Sequence, residues 1–181
     1  LDHRISCWME RATIQKSDLI LCSSARHAAI VLKKMQKQSE KVVIIPLGVD
    51  IPAQAADDTG RKQKKNMRIL FAGRLEKRKG PHVLARAIPN ILNVLPECTF
   101  IIAGTDSLVD PDSDFLKTHK SVSCVQSMLE MVPEKYRPRI TFVGHLDKIE
   151  LAREYQLCDV FVAPSLYESC GFVYLEAMSH G

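Results

Sequence analysis

No GxGxxG turn, no CxxC pair and no apolar run near eighteen residues occurs anywhere in these 181 residues. The first absence counts against a dinucleotide-dependent oxidoreductase, whose pyrophosphate needs that glycine turn after a strand. The second, with six scattered cysteines and no Cys/His spacing of a zinc site, leaves neither a disulfide framework nor a structural metal. Free thiols inside apolar runs behave as small hydrophobes and point to a reducing, cytoplasmic compartment. The third removes a membrane helix, and no signal peptide opens the chain. Aromatic residues are sparse and are not interleaved with the basic ones, so nucleic acid is not an expected partner. The net charge of +4 is mild and suits a protein that handles anions without requiring it.

What is present is alternation. Apolar runs at 18–24 (DLILCSS), 41–46 (KVVIIP), 67–73 (MRILFAG), 99–104 (TFIIAG), 139–144 (RITFVG) and 159–165 (DVFVAPS) have the habit of strands buried on both faces of a parallel sheet. Between them stand helix signals. Val83, Leu84, Ala87, Ile88, Ile91, Leu92 and Leu95 repeat at helical spacing behind Pro81, a first-turn residue, and Pro89 predicts a kink. Asp147 with Glu150 predicts a capping box opening a helix to about Leu157, and a further helix is expected over 122–131. Strand–helix alternation with short links gives an α/β fold with a doubly wound parallel sheet.

The stretch 51–66 breaks the rhythm with Pro, Gly, paired Asp and a basic cluster (Arg61, Lys62, Lys64, Lys65). It reads as a linker between two lobes, with a localisation signal as the lesser alternative. The expected division is therefore 1–50, a linker at 51–66, and 67–181. A long interruption at 105–138 has the size of a functional loop. The chain opens on Leu and closes after a helical stretch, and is taken to be a fragment of a longer protein.

Ligands of open parallel sheets bind at the carboxyl ends of the strands. Three loops carry chemistry there. Arg74 and Lys79 follow the third run, and cations ahead of a helix start suit a diphosphate, although a solvated charge run has the same composition. His145 follows the fifth run, where a loop histidine with a local hydrogen bond is an equal reading. Glu168, Gly171, Phe172 and Glu176 follow the sixth. Glu176 lies in a largely apolar helix, so its carboxylate needs a partner, either a ribose diol or a nearby Lys or Arg.

These residues also carry a resemblance. PSLYESCGFVYLEAMSHG at 164–181 resembles the hallmark of the glycosyltransferase group 1 family (family 4), two glutamates seven residues apart in P-S-x-x-E-x-x-G-x-x-x-x-E-A-M-x-x-G. FAGRLEKRKG is similar to its G-R-L-x-x-x-K-G loop, and ITFVGHL to its V-x-F-x-G segment. The earlier SDLILCSSARHAAIVLKK and KVVIIPLGVD resemble the end of the acceptor lobe and the I-P-N-G-V-D strand, with Leu47 where Asn is usual. Cys170 stands where Phe or Gly is frequent.

The resemblance implies a GT-B architecture of Rossmann-like lobes, the second mostly present and the first fragmentary. It implies a retaining hexosyltransferase using a UDP-, GDP- or ADP-sugar, without cofactor or metal, on a saccharide, lipid or small-molecule acceptor. Arg74 and Lys79 would hold the diphosphate, Glu176 the ribose hydroxyls, and Glu168 the sugar hydroxyls beside amides of Gly171, Phe172 and Val173. Gly144, His145 and Leu146 would lie near the base, and Gly73, Gly104 and Thr105 would line the cleft. Alone, the fragment is expected to bind donor weakly and not to turn over. A non-catalytic sugar-nucleotide module and a GT-B epimerase share these features; a phosphorylase would need a cofactor lysine motif that is not seen. A peripheral membrane contact through regions outside the chain stays open.

Overall fold

The computed structural model describes residues 3–35, 41–51, 66–106, 123–168 and 170–181. The basic cluster at 61–65, most of the expected linker, and residues 107–122 of the long interruption lie outside these residues. The chain divides into two compact units, Leu1–Gly48 with Ser169–Gly171, and Val49–Glu168 with Phe172–Gly181.

In the first unit, α1 (His3–Lys16) precedes a β–α–β turn of chain made by β1 (Ile20–Cys22), α2 (Ala25–Met35) and β2 (Val42–Ile44). The two strands pair in parallel, Ile20 beside Val42 and Cys22 beside Ile44. Ser24 starts α2 by accepting the His27 amide on its hydroxyl at 3.1 Å, the usual work of a helix cap. Cys22 and Ala28 are buried, whereas Leu21, Val43 and Ile44 stay exposed.

The second unit holds β3 (Arg68–Ala72), α3 (Pro81–Val94), β4 (Thr99–Ala103), α4 (Cys124–Met131), β5 (Ile140–Gly144), α5 (Lys148–Leu157), β6 (Val160–Phe161) and α6 (Phe172–Ser179). Its four strands are all parallel in the order β5-β4-β3-β6. Strand periodicity makes the sheet two-sided. Ile69, Phe71, Phe100 and Ile102 face one core with Leu84, Ile88 and Leu92 of α3 and Met128 of α4. Leu70, Ala72, Ile101 and Ala103 face the other, with Leu151 and Tyr155 of α5 and Ala177 of α6. Helices thus cover both faces, the doubly wound arrangement expected from alternation.

Burial on both faces holds for β3 and β4 alone, each buried at four of five positions. Residues of β5 and β6 are half-buried or exposed, because these strands form the edges of the four-stranded sheet. The sixth run also pairs over two residues only, its remainder forming a loop. Pro89 lies inside α3 without ending it; the helix runs on to Val94. Asp147 accepts the Ile149 and Glu150 amides while Glu150 accepts the Asp147 amide, completing the capping box.

The edge strand β6 is clamped to β3 at its start. The Arg68 amide donates to the Asp159 carboxylate, the Asp159 amide donates to the Arg68 carbonyl, and the Arg68 guanidinium reaches Glu154 at 2.6 Å. At the other end, Gly80 sits against the Pro164 carbonyl. A Cβ at Gly80 would stand 2.0 Å from that oxygen, and its φ of +74° is already left-handed. Gly144 has a similar φ with nothing within 4 Å of a Cβ. Gly80→Ala is therefore expected to cost well over about 2 kcal/mol, and Gly144→Ala about 1 kcal/mol, by urea denaturation. Equal costs would contradict the close approach.

Candidate functional site

Because every strand of the second unit runs the same way, the loops after β3, β4, β5 and β6 leave from one edge of the sheet. Main-chain hydrogen bonds knit them together. The Gly73 amide donates to the Ala103 carbonyl, Leu75 to Thr105, and Gly104 to Gly144. Gly104 is packed so closely that a Cβ there would lie 1.9 Å from the Gly73 carbonyl oxygen. Beyond β6, the Leu166 amide donates to the Arg78 carbonyl at 2.8 Å. Residues 74–79 and 164–168 are held side by side as a result.

The side chains on these two loops form one charged cluster. Lys79 leaves a short 3₁₀ turn (Lys77–Lys79) just ahead of α3, and its Nζ lies 2.5 Å from Glu168 Oε1. Ser165 Oγ donates to the same oxygen at 2.8 Å, while Arg78 Nη1 is 3.4 Å from Oε2 and donates to the Tyr167 carbonyl. Arg78 Nη2 also pairs with Glu76 at 2.7 Å, and Arg74 approaches the same Glu76 oxygen at 3.5 Å. The Lys79 and Glu168 side chains are only 15% and 16% exposed, whereas Arg74 is 66% exposed. Burial works to raise the Glu168 pKa. The bonds from Lys79 and Ser165 and the neighbouring Lys79 and Arg78 charges outweigh it, leaving the carboxyl below its ordinary range.

Glu176 is held elsewhere. Its Oε2 accepts the Tyr155 hydroxyl at 3.1 Å, so the partner the sequence demanded is a phenol and not a described Lys or Arg. Phe172 and Val173 occupy the first turn of α6, where amides have no intrahelical acceptor. Gly171, immediately before them, groups with the first unit. Gly144 and His145 are exposed, while Leu146 packs against the core beside α5. Thr105 is exposed, with its carbonyl bonded to Leu75.

The structure thus brings Arg74, Lys79 and Glu168 into one network and leaves Glu176 in a separate contact with Tyr155. Glu76, Arg78 and Tyr155 belong to these networks and were not singled out from the sequence; Ser165 also belongs, and entered only as a matched position of the 164–181 pattern. The charge run in LEKRK, one acid followed by three bases, was the available sign for the first two. Asp106 was also missed; it accepts the Ser123 hydroxyl and the Val125 amide and so fastens the β4 loop to the start of α4. Among the described residues no group of three His, Cys, Asp or Glu is placed to hold a metal, and no helix is long and apolar enough to cross a membrane.

Residues 66–181 match the family described as glycosyl transferases group 1. The chain belongs to that family. Members similar to it include the glycogen synthase of Mycobacterium tuberculosis, 28% identical over 99% of this chain and 38% of the relative. The D-inositol 3-phosphate glycosyltransferase of Corynebacterium urealyticum is 26% identical over 95% of this chain and 41% of its own length. This group 1 chain thus spans about two fifths of the curated relatives it matches. Among solved structures, a pneumococcal O-GlcNAc transferase in complex with UDP and GlcNAc superposes with a TM-score of 0.64 at 23% identity, over 95% of this chain and 30% of that one. A glycosyltransferase from Rickettsia africae gives 0.67 at 16% identity, over 90% and 42%. The fold is accordingly that of the GT-B glycosyltransferases.

The depressed Glu168 pKa fixes a pH dependence. A carboxyl whose folded pKa lies below its unfolded value stabilises the fold above the unfolded value, near 4.5. That contribution fades as pH falls through the folded pKa. Glu168→Gln is expected to lose about 1.5–3 kcal/mol at pH 7, the usual worth of hydrogen bonds to a charged group, and progressively less below pH 4.5. Urea denaturation at several pH values reads this. A difference that does not shrink in acid would show that the pair contributes nothing.

Proposed function

We propose that the whole protein is a retaining hexosyltransferase of family 4, moving a hexose from a nucleoside diphosphate sugar to an acceptor hydroxyl, and that this chain carries the donor site. The observation that carries the reading is the Lys79–Glu168 pair, with Arg78 and Arg74 beside it, at the carboxyl ends of parallel strands. Breaking the bond from the sugar to the β-phosphate leaves negative charge on the departing diphosphate. Preorganised cations facing that charge lower the barrier more than they improve ground-state binding.

In this reading Arg74, with its exposed guanidinium, and Lys79 meet the diphosphate oxygens. Lys79 exchanges its contact with Glu168 for one with phosphate, and the released Glu168 carboxylate accepts hydroxyls of the hexose, aided by amides of Gly171, Phe172 and Val173. Glu176 accepts the ribose hydroxyls. His145 and Leu146, with Gly144, lie beside the base, and Gly73, Gly104 and Thr105 line the cleft. The donor is a UDP-, GDP- or ADP-sugar, and no cofactor or metal takes part. The scattered cysteines, without a CxxC pair, favour a cytoplasmic setting. The complex of one fold neighbour with UDP and GlcNAc supports a nucleotide-sugar ligand.

In the intact protein, Lys79→Ala or Arg74→Ala is expected to lower kcat about 10²–10³-fold, equivalent to about 2.7–4 kcal/mol, with a smaller change in donor affinity. Steady-state transfer assays with UDP-, GDP- and ADP-sugars, alongside calorimetric titration of the same donors, measure both. A full transfer rate in either variant would refute the assignment of that residue.

A further inference from the structure

We infer that Tyr155 is a positioning residue, whose hydroxyl fixes the Glu176 carboxylate in the orientation that receives the ribose of the donor. The inference rests on the donor-site reading of Glu176 and adds a residue to it.

Tyr155 is 3% exposed, on the face of α5 that meets the sheet. Its ring packs edge-on to Phe161, with centroids 5.6 Å apart, and against the His180 ring at 5.4 Å. His180 is itself anchored. Its Nδ1 lies 2.8 Å from the Glu176 carbonyl and 3.2 Å from the Ser179 hydroxyl. The phenol is therefore clamped from two sides, and the clamp returns to the main chain of the residue it serves.

The hydroxyl donates to Glu176 Oε2 at 3.1 Å. Burial, followed by the Glu176 charge, pushes the phenol pKa well above its ordinary value, so the group remains a donor at any working pH. A single neutral donor orients a carboxylate differently from an ion pair. A guanidinium fork would occupy both oxygens, whereas one hydroxyl fixes the plane of the group and leaves Oε1 open. Among the described residues the Tyr155 hydroxyl is the hydrogen-bond donor to this carboxylate, and Lys148 feels its charge without forming an ion pair with it. A diol presents two donors to such an acceptor.

The test uses the intact protein and whichever of UDP, GDP or ADP it binds, with the matching 2′-deoxy and 3′-deoxy nucleotides. The wild type is expected to favour the ribonucleotide about 10–100-fold, the worth of hydrogen bonds to a charged acceptor. Glu176→Gln should reduce that preference to near unity. Tyr155→Phe keeps the ring and the packing; it should cut the preference by about three- to tenfold while leaving deoxynucleotide affinity within about twofold. Tyr155→Met, with the melting temperature of each variant recorded, gives a second reading should Phe perturb the fold. A full preference in Glu176→Gln would overturn the ribose reading of Glu176 itself. Loss of preference in Glu176→Gln but not in the Tyr155 variants would overturn the positioning role alone. Equal weakening of ribo- and deoxynucleotides by the Tyr155 variants would reduce Tyr155 to packing, and overturn it too.

Discussion

Lys79 and Glu168 lie 89 residues apart in the chain, and they meet only because β6 returns to lie along β3. Nearly everything else in the second unit serves that meeting. The reciprocal Arg68–Asp159 amide bonds hold the strands in register at one end, and the Leu166–Arg78 bond with the Gly80–Pro164 approach holds the loops at the other. An ion pair this sheltered is costly to assemble and costly to break on one side, because the partner left behind loses its solvation and its compensation together. The Ser165 hydroxyl and the Arg78 guanidinium reduce that cost by taking further lone pairs of Glu168.

In the proposed donor-site reading, the pairing lets a rigid scaffold present an anion site without leaving bare charge at rest. Lys79 is satisfied internally and Arg74 is largely in water, and in that reading a diphosphate at the strand ends would offer Lys79 a partner of higher charge than a carboxylate. Behind this cluster the buried core alternates strictly along β3 and β4, Ile69 and Phe71 to one side and Leu70 and Ala72 to the other, so the loop origins are fixed by packing on both faces.

Much of this was legible in the residues. Alternating apolar runs and helix periods gave the parallel α/β order, Asp147 and Glu150 gave a capping box, and the strand-end positions of Arg74, Lys79 and Glu168 placed them on neighbouring loops. Legibility failed where the outcome depended on neighbours in space. Apolar runs at 139–144 and 159–165 look like central strands, yet fall at sheet edges, since sequence does not encode which strand ends the order. Glu176 demanded a partner, and periodicity cannot name a tyrosine twenty-one residues upstream on another helix.

The most direct test of the central claim is a crystal structure of the protein with a nucleoside diphosphate bound. The account predicts phosphate oxygens within hydrogen-bonding distance of Lys79 Nζ and the Arg74 guanidinium, with Glu168 released from Lys79. A nucleotide bound elsewhere, with the Lys79–Glu168 contact intact, would contradict it.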